Sequence, residues 1–465
     1  MGTGTILSLT PGLLPRSAAA QVALTSLLVV ALLGIARLAR IGLRHLRRDD
    51  PVPDRPRPVS TGRLGKPNAG GTASGTRTPG GPAGPAPDRR RPVFAAAAIG
   101  IAGAAAHAAE WQNTLRDSME VARTGPAYWF SWAVGTVLLT VTLVTARSGI
   151  GRLSRRIGWA RGLVMAVVAA LPVALLGVPA FGGSSSQGHS ADTALVRPAA
   201  VTRSGSTDSM VTWTSLGREG QRFVTTGPSA AVRVYVGLRS APDLAARAAL
   251  AVRELDRAGG FDRSHLVVAV PTGSGWVDAH ALRGFDTRFG SDVAVVALQY
   301  SNLPSWATFV LGRDSATASA RALLAAIEEH TATLPHPPRL YVYGQSLGAL
   351  GGSELFAGAG DQNRRVCSVL WAGLPGGGGP PPGARSAVLA NTSDPVVHWS
   401  LDLLWRPPDL TATRRDAPTP GWLPVASFIQ TTADLIGALG TAPGHGHRYG
   451  IDQGTDLPAC ADNDA

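Results

Sequence analysis

The chain has 465 residues, with 43 Lys and Arg side chains against 31 Asp and Glu, and a formal net charge of +12. Residues 1–181 hold 21 basic and 7 acidic side chains, whereas residues 182–465 hold 22 and 24, so the excess positive charge belongs to the first part alone. This split argues against a nucleic-acid-binding domain with a spread basic face, and a hydrophobic content of 45% excludes wholesale disorder.

Four apolar stretches in the basic part lack charge over about the length that crosses a bilayer, roughly 20 residues. They are residues 17–36, 92–109, 124–146 and 162–181. The second stretch is alanine-rich and only marginally hydrophobic, so a buried bundle helix is the alternative there. The first has features of a signal peptide, but its cleavage would leave three further apolar segments. The sequence therefore predicts a helical membrane region over residues 1–181.

The arginines of the connecting loops predict how this region is oriented. The connection from Arg37 to Arg91 carries 13 basic and 4 acidic residues, and the connection from Ala146 to Arg161 carries five arginines and no acid. Such loops stay cytoplasmic, because moving Arg across a membrane is unfavourable. We therefore expect a multi-pass cell-membrane protein with everything after Phe181 on the extracytoplasmic side.

Two stretches are predicted to be linkers. Residues 49–92 are rich in Pro, Gly, Arg and Thr without apolar periodicity, which is typical of a disordered loop. This loop is either a solvated topology signal or a segment attracted to anionic membrane lipids. Residues 182–196 form a second, Gly- and Ser-rich linker before the remaining domain, residues 197–465.

From Ala231 onward, short β-branched runs alternate with amphipathic stretches. The runs predict strands at 231–237, 265–271, 292–300, 339–344, 366–371 and 386–391, and helices at 243–257, 315–330 and 347–357. Alternation at this spacing favours an α/β domain with a mostly parallel sheet and helices on both faces.

The motif Gly344-Gln345-Ser346-Leu347-Gly348 lies between a predicted strand and a predicted helix. In a nucleophile elbow, glycines flank the serine because side chains there would collide with the neighbouring strand or helix. The turn exposes the hydroxyl and directs the helix N-terminus toward an oxyanion. The alternative is an ordinary glycine-rich strand–helix turn, but the context favours Ser346 as a nucleophile.

Candidate partners follow in the order serine, acid, histidine that this fold requires. Asp394 comes just after a predicted strand, and His445 and His447 lie in a Gly-rich loop near the carboxyl terminus. Histidine suits the role of base because its pKa lies near neutrality. Spacing does not separate the two histidines. The other local candidates are His398, which is too close to Asp394 in sequence, and the weaker acids Asp402 and Asp434.

An oxyanion hole would take one amide from Leu347, directly after the nucleophile. The second amide should come from the loop after the third strand of the fold, which we identify as residues 271–276, with Thr272 or Gly273 as donor. The alternative is a plain Gly/Pro turn. Nothing in the sequence indicates a metal site or a cofactor.

The chain has two cysteines, Cys367 and Cys460, which are too few for a disulfide framework or a zinc site. They could pair if the domain is exported, and two unpaired thiols are the alternative.

Several motifs taken together resemble one protein family. They are TPGLLPRSAAAQ, HAAEWQNTLRDSM, PTGSGWV, ALQYSNLPSW, YGQSLGALGG, SDPVVHWS and PGHGHRY. In this order they resemble a family of polytopic membrane α/β hydrolases found chiefly in GC-rich Gram-positive bacteria. The resemblance implies an α/β-hydrolase domain behind a helical membrane region, with a serine nucleophile. It implies little about the substrate.

These features predict a membrane-anchored serine hydrolase that acts through an acyl-enzyme at the extracytoplasmic face. Leu303, Trp276 and Trp306 near the expected site loops, together with the membrane tether, favour a lipid or an acylated envelope substrate. One alternative is acyl transfer to an envelope glycan or lipid, and another is an inactive membrane scaffold. No nucleic-acid partner is expected, and the sequence leaves the oligomeric state open.

Overall fold

The computed structural model describes residues 2–46, 90–153, 195–303, 313–377 and 379–460. The predicted membrane segment at 162–181 lies outside these residues, and so do most of loop 49–92 and most of linker 182–196.

The amino-terminal region contains four described helices. They are α1 (Gly2–Ser8), α2 (Ala18–Leu46), α3 (Arg90–Ser118) and α4 (Pro126–Leu153). The last three cover the apolar segments 17–36, 92–109 and 124–146 except for residues 17, 124 and 125, while α1 was not predicted. Helix α1 packs beside α2, because Ser8 Oγ lies 2.9 Å from Thr25 Oγ1 and Gln21 Nε2 donates to Ser8 O over 2.8 Å. Trp132 of α4 also donates to Thr25 Oγ1, so side-chain hydrogen bonds join three helices.

Among the described helices, two are long and apolar enough to cross a membrane. They contain Ala18–Arg44, with a mean hydropathy of 2.3, and Pro126–Ala146, with a mean hydropathy of 1.6. Only 22% and 17% of these windows are buried inside the protein, whereas the core helix of a soluble domain is mostly buried. Helix α3 does not reach the same apolarity, in line with its marginal sequence.

The second region is built on six parallel strands. They are β1 (Val232–Val236), β2 (His265–Val270), β3 (Val293–Leu298), β4 (Arg339–Gln345), β5 (Ser368–Ala372) and β6 (Ser386–Leu389). Their order in the sheet is β1-β3-β2-β4-β5-β6. Strands β1, β3 and β5 are buried along their whole length, as apolar runs in a sheet covered on both faces should be. The predicted parallel sheet is confirmed.

Nine further α-helices accompany the strands in the described residues. They are α5 (Gly217–Thr225), α6 (Leu244–Arg257), α7 (Ala279–Phe289), α8 (Arg313–Thr331), α9 (Leu347–Ser353), α10 (Ala359–Arg365), α11 (Pro395–His398), α12 (Ala426–Asp434) and α13 (Asp452–Thr455). Helix α6 begins as predicted, because the Asp243 carboxylate accepts from Ala246 N. Helix α9 ends at Ser353, whereas the sequence predicted that it would end at Ala357. Helix α7 was missed, although Asp278 caps it in the same way.

The strand order places the functional loops together. Strands β2 and β4 are neighbours, yet the chain leaves β2 for β3 on one side before it returns to β4 on the other. Ligands of open α/β sheets bind at such a switch point, outside the carboxyl ends of the strands. Residues 271–276 follow β2 and Ser346 follows β4, so both lie at this edge.

The two cysteines form a disulfide. Cys367 precedes β5 and Cys460 lies near the carboxyl terminus, with a Cα–Cα distance of 4.9 Å. The two cysteines are therefore paired, a question that the sequence had left open. The disulfide ties the last described residues to the sheet.

A buried ion pair joins the amino-terminal region to the α/β domain. Arg16 Nε donates to Asp434 Oδ1 over 2.8 Å, and Leu13 N donates to Asp434 Oδ2 over 2.7 Å. Gln430 also accepts from Arg16 through its side chain and its main-chain carbonyl. We call Arg16, Gln430 and Asp434 the Arg16 clamp. Burial raises the pKa of Asp434, although the charge of Arg16 favours its ionised form.

Apolar side chains support the clamp. A small core forms from Leu13, Leu14, Leu115, Met119 and Ala417. Trp111 packs against it and donates to Gly12 O over 2.9 Å. The loop before α2 and the end of α3 therefore contact the α/β domain together.

Replacement of Arg16 by Ala should destabilise the protein, because it leaves a buried carboxylate without its cation. We expect the free energy of unfolding to fall by about 3–5 kcal/mol, measured by denaturant titration of the full chain in detergent. Arg123→Ala is the matched control, since it removes the partner of Asp117 from an exposed pair, and it should change little. Equal losses in both variants would contradict the assigned role of the clamp.

Candidate active site

Ser346 lies on a strained turn between β4 and α9. Its φ is 55° and its ψ is −123°, a conformation that few non-glycine residues adopt. The flanking glycines allow this turn to pack. A Cβ on Gly344 would lie 2.5 Å from Gly348 O, and a Cβ on Gly348 would lie 2.1 Å from Val270 O. The geometry is that of a nucleophile elbow, with the start of α9 pressed against the end of β2.

Two main-chain amides are available beside this turn. Leu347 is the first residue of α9, so its N–H has no acceptor within the helix. In the loop after β2, Thr272 N donates to Trp276 O over 2.9 Å and is thereby occupied. Within the described part of the chain, Gly273 N has no such acceptor. The loop follows β2, the second strand of the described residues. Of the two oxyanion-hole donors predicted in this loop, Thr272 and Gly273, only Gly273 has an amide that is not already hydrogen-bonded within the described residues.

Three side chains hold this loop through its carbonyl oxygens. Tyr235 OH donates to Gly275 O over 2.8 Å, Tyr300 OH donates to Pro271 O over 3.0 Å, and Gln299 Nε2 donates to Ser274 O over 3.3 Å. Tyr235 belongs to β1, and the other two follow β3. Because the carbonyls are fixed by neighbouring strands, the amides of the loop are held in place as well.

Asp394 is completely buried after β6 and caps α11 through Val396 N. Its Oδ2 atom lies 2.7 Å from His447 Nδ1 and accepts a hydrogen bond from Tyr449 OH over 2.6 Å. Burial raises the pKa of Asp394, but the charge of His447 and the hydrogen bonds from His447, Tyr449 and Val396 outweigh it and leave this pKa below its usual value. The carboxylate is therefore ionised and oriented toward the imidazole.

His447 lies against the residues that surround Ser346. Gln345 Nε2 donates to His447 O over 3.2 Å, and Ser346 N donates to Ala372 O over 2.9 Å. The next residue, Gly373, lies so close that a Cβ there would be 2.5 Å from His447 Cε1. Since Nδ1 faces Asp394, the ring nitrogen left is Nε2, which is buried without a hydrogen-bond partner among the described residues.

His445 has a different partner. Its Nδ1 atom lies 3.3 Å from Asp416 Oδ2. Ser393 also donates to Asp416 and in turn accepts from Gly446 N over 2.8 Å. The structure thus brings His447, and not His445, together with Asp394. The pair formed by His445 and Asp416 fixes the loop next to it.

The side chains of the remaining sequence candidates are not part of this arrangement. His398 is buried with Nε2 at 3.2 Å from Asn391 O, and its burial lowers its pKa. Asp434 belongs to the Arg16 clamp. Leu303 is exposed and Trp276 is half-buried, while Trp306 lies outside the described residues. No group of three or more His, Cys, Asp or Glu side chains that could hold a metal ion occurs in the described part of the chain.

Sequence reasoning missed Tyr449 and Asp416. Tyr449 stands two residues after His447 in the same motif, but nothing in its spacing indicated a bond to Asp394. Asp416 lies 29 positions before its partner His445, with α12 between them, so only the folded chain brings them together.

The arrangement defines a class of protein. A parallel α/β sheet carries a serine on a strained strand–helix turn, followed along the chain by an aspartate and a histidine that are hydrogen-bonded to each other. This order and geometry are those of the α/β hydrolases.

Comparison with protein families leads to the same class of protein. A model described as an alpha/beta-hydrolase family matches residues 232–379 and 379–463, and a model of an alpha/beta-hydrolase family N-terminus matches residues 9–187 and 180–228. Together they cover nearly the whole chain, which belongs to this alpha/beta-hydrolase family and has a hydrolase-type function. No curated protein and no solved structure matches it.

The two histidines should differ in their effect on serine reactivity. His447→Ala removes the imidazole bound to Asp394 and should slow labelling of Ser346 by a fluorophosphonate about 10²–10⁴-fold, the usual contribution of a general base. His445→Ala is the matched control and should slow it far less. The rate of labelling of the full chain in detergent measures both. The reverse ranking would show that the hydrogen bond to Asp394 does not mark the base.

Proposed function

We propose that the protein is a membrane-anchored serine hydrolase that cleaves ester-type bonds through an acyl-enzyme. The observation that carries this proposal is the hydrogen bond from His447 to Asp394 beside the strained turn of Ser346. A buried imidazole with one nitrogen on a carboxylate and the other free is oriented to take a proton from a nucleophile.

In the proposed mechanism, Ser346 Oγ attacks the substrate carbonyl carbon while its proton passes to His447 Nε2. Leu347 N and Gly273 N donate hydrogen bonds to the oxyanion that forms. The bond from carbon to the leaving oxygen then breaks, and that oxygen takes the proton from His447. Water attacks the acyl-enzyme in the same way and regenerates Ser346. Asp394 stays ionised throughout and stabilises the protonated imidazole.

We place the hydrolase domain on the extracytoplasmic face. The pairing of Cys367 with Cys460 supports this placement, because disulfides persist in oxidising compartments. The Arg16 clamp supports it too, since the loops before α2 and after α3 contact the same domain. These are the loops that the charge pattern leaves outside, whereas the arginine-rich loops stay inside.

The substrate class follows from this placement. A hydrolase held against the outer surface of a membrane meets lipids and acylated envelope molecules first, so we propose an ester of one of these as substrate. Acyl transfer to an envelope glycan or lipid is the second candidate, because an acyl-enzyme reacts with an alcohol by the same steps as with water.

Ser346→Ala should abolish fluorophosphonate labelling and ester hydrolysis together. The experiment uses intact membranes with the wild-type chain, and Ser353→Ala serves as a control with a hydroxyl removed at the far end of α9. Absence of labelling in the wild-type chain would reject the hydrolase and favour the inactive scaffold. A product that carries the acyl group on an added alcohol would identify the transferase.

The orientation can be tested with single introduced cysteines. Ala325→Cys places a thiol on the exposed face of α8, and Ser74→Cys places one in the arginine-rich loop. A membrane-impermeant maleimide should label the first in intact cells and the second only after permeabilisation. The opposite pattern would place the catalytic domain in the cytoplasm.

A further inference from the structure

The α/β domain exposes a set of large apolar side chains near the Arg16 clamp. They are Leu401, Trp405, Leu423, Val425, Ile436 and Leu439, each between 43% and 62% exposed. We call these six residues the apolar rim. All of them lie in the stretch between Asp394 and His447. The first four are close in space, because Val425 N donates to Leu404 O over 3.1 Å. The last two lie within the five residues after α12.

The contacts of α12 show where this helix, which the rim residues flank, lies along the axis of the apolar helix α2. Gln430 Nε2 donates to Leu7 O and to Thr10 Oγ1, each over 2.7 Å. The neighbouring Ser8 is hydrogen-bonded to Thr25 in the second turn of α2. Thr25 lies about 10 Å along the helix axis from its first residue, Ala18. The middle of α12 is therefore level with the first two turns of α2 and does not stand above its end.

Aromatic residues mark the same level on α4. Tyr128, Trp129 and Trp132 occupy the first two turns of this helix. Arg116 lies 5.8 Å from the Tyr128 ring centre and also donates to Arg16 O over 2.7 Å, which places this end of α4 beside the Arg16 clamp. Tyr and Trp concentrate where a spanning helix meets the membrane–water interface. The start of α2, the start of α4 and the middle of α12 are thus at one level, and the rim residues lie before and after α12.

We propose that the apolar rim lies in the interfacial layer of the lipid bilayer. The proposal rests on the membrane anchoring proposed above and adds that the catalytic domain itself enters the interface. Trp and Leu side chains presented beside a spanning helix gain by transfer into the boundary between headgroups and acyl chains, where interfacial elements lie about 5–10 Å deep.

The charges of the segment indicate which lipids are needed. Residues 399–440 contain three arginines and four aspartates, so there is no cationic cluster to bind anionic headgroups. Apolar burial alone must drive the contact, and a zwitterionic bilayer should suffice.

The proposed position of the rim also brings the bilayer surface close to the proposed catalytic residues. The segment that carries the rim begins after Asp394 and ends before His447. His447 N donates over 3.1 Å to the carbonyl oxygen of Ala438, which lies between the rim residues Ile436 and Leu439. Substrate acyl chains held in the outer leaflet would therefore lie beside the loop that carries the histidine.

The test uses the full chain in phosphatidylcholine nanodiscs with a fluorescent nitrobenzoxadiazole label on one introduced cysteine. Leu401→Cys and Ile436→Cys report on the two parts of the rim, and Ala325→Cys is the exposed control on α8. The native cysteines are paired and do not react. Thermal unfolding of each variant verifies that it folds as the parent chain does.

We expect both rim labels to emit at shorter wavelength and to lose most of their intensity to lipids with a nitroxide near the headgroup. The control label should do neither, and adding anionic lipid should change nothing. If the protein enters nanodiscs but the rim labels are not quenched, the rim lies in water. That result would overturn the proposal that the rim lies in the bilayer interface, but it would leave the proposed membrane anchoring intact. Energy transfer between rim labels on two copies, without quenching, would overturn it in favour of a dimer contact. A chain that does not enter nanodiscs would overturn the anchoring and this inference together.

Discussion

The strained turn at Ser346 is the constraint on which the rest of the site depends. A residue with a φ of 55° between strand and helix presents its side chain at the carboxyl edge of the sheet. The turn persists because Gly344 and Gly348 let α9 press against the ends of β4 and β2. The same close packing brings Leu347 N and the loop around Gly273 to one place. The positions of Ser346, the proposed nucleophile, and of the two amides therefore follow from one feature of local packing.

The remaining partners reach this edge through longer connections. Asp394 lies in the short connection between β6 and α11, whereas His447 comes from irregular chain that no strand positions. That chain is held at both ends. Tyr449 OH and His447 Nδ1 meet on one oxygen of Asp394, and the Arg16 clamp fixes α12 upstream. A buried ion pair contributes little net stability by itself, but it strongly penalises any arrangement that separates its charges. The amino-terminal region is thus coupled to the part of the chain that leads to the histidine.

Much of the α/β domain could be predicted from local sequence, because its signals are local. β-Branched runs marked all six strands, and Asp243 marked the start of α6. The short helices were less predictable. Helix α7 was overlooked although Asp278 caps it, and α9 ends early at Ser353. Before the histidine, α12 covers Ala426–Asp434 and a turn of 3₁₀ helix follows it. Irregular connections carry no periodicity, so their course depends on what they pack against.

By itself, the sequence determined the order of serine, acid and histidine, the glycines around Ser346 and the separation of a basic apolar region from a nearly neutral domain. These features are set by residue identity and spacing along the chain. Only the tertiary structure decided that His447 and not His445 meets Asp394, that Cys367 pairs with Cys460, and which amide of the loop after β2 is free. Two histidines one residue apart have the same chemistry and the same sequence context. The direction in which each side chain points is fixed by distant partners, which lie tens of residues away along the chain and meet only when the loops pack together.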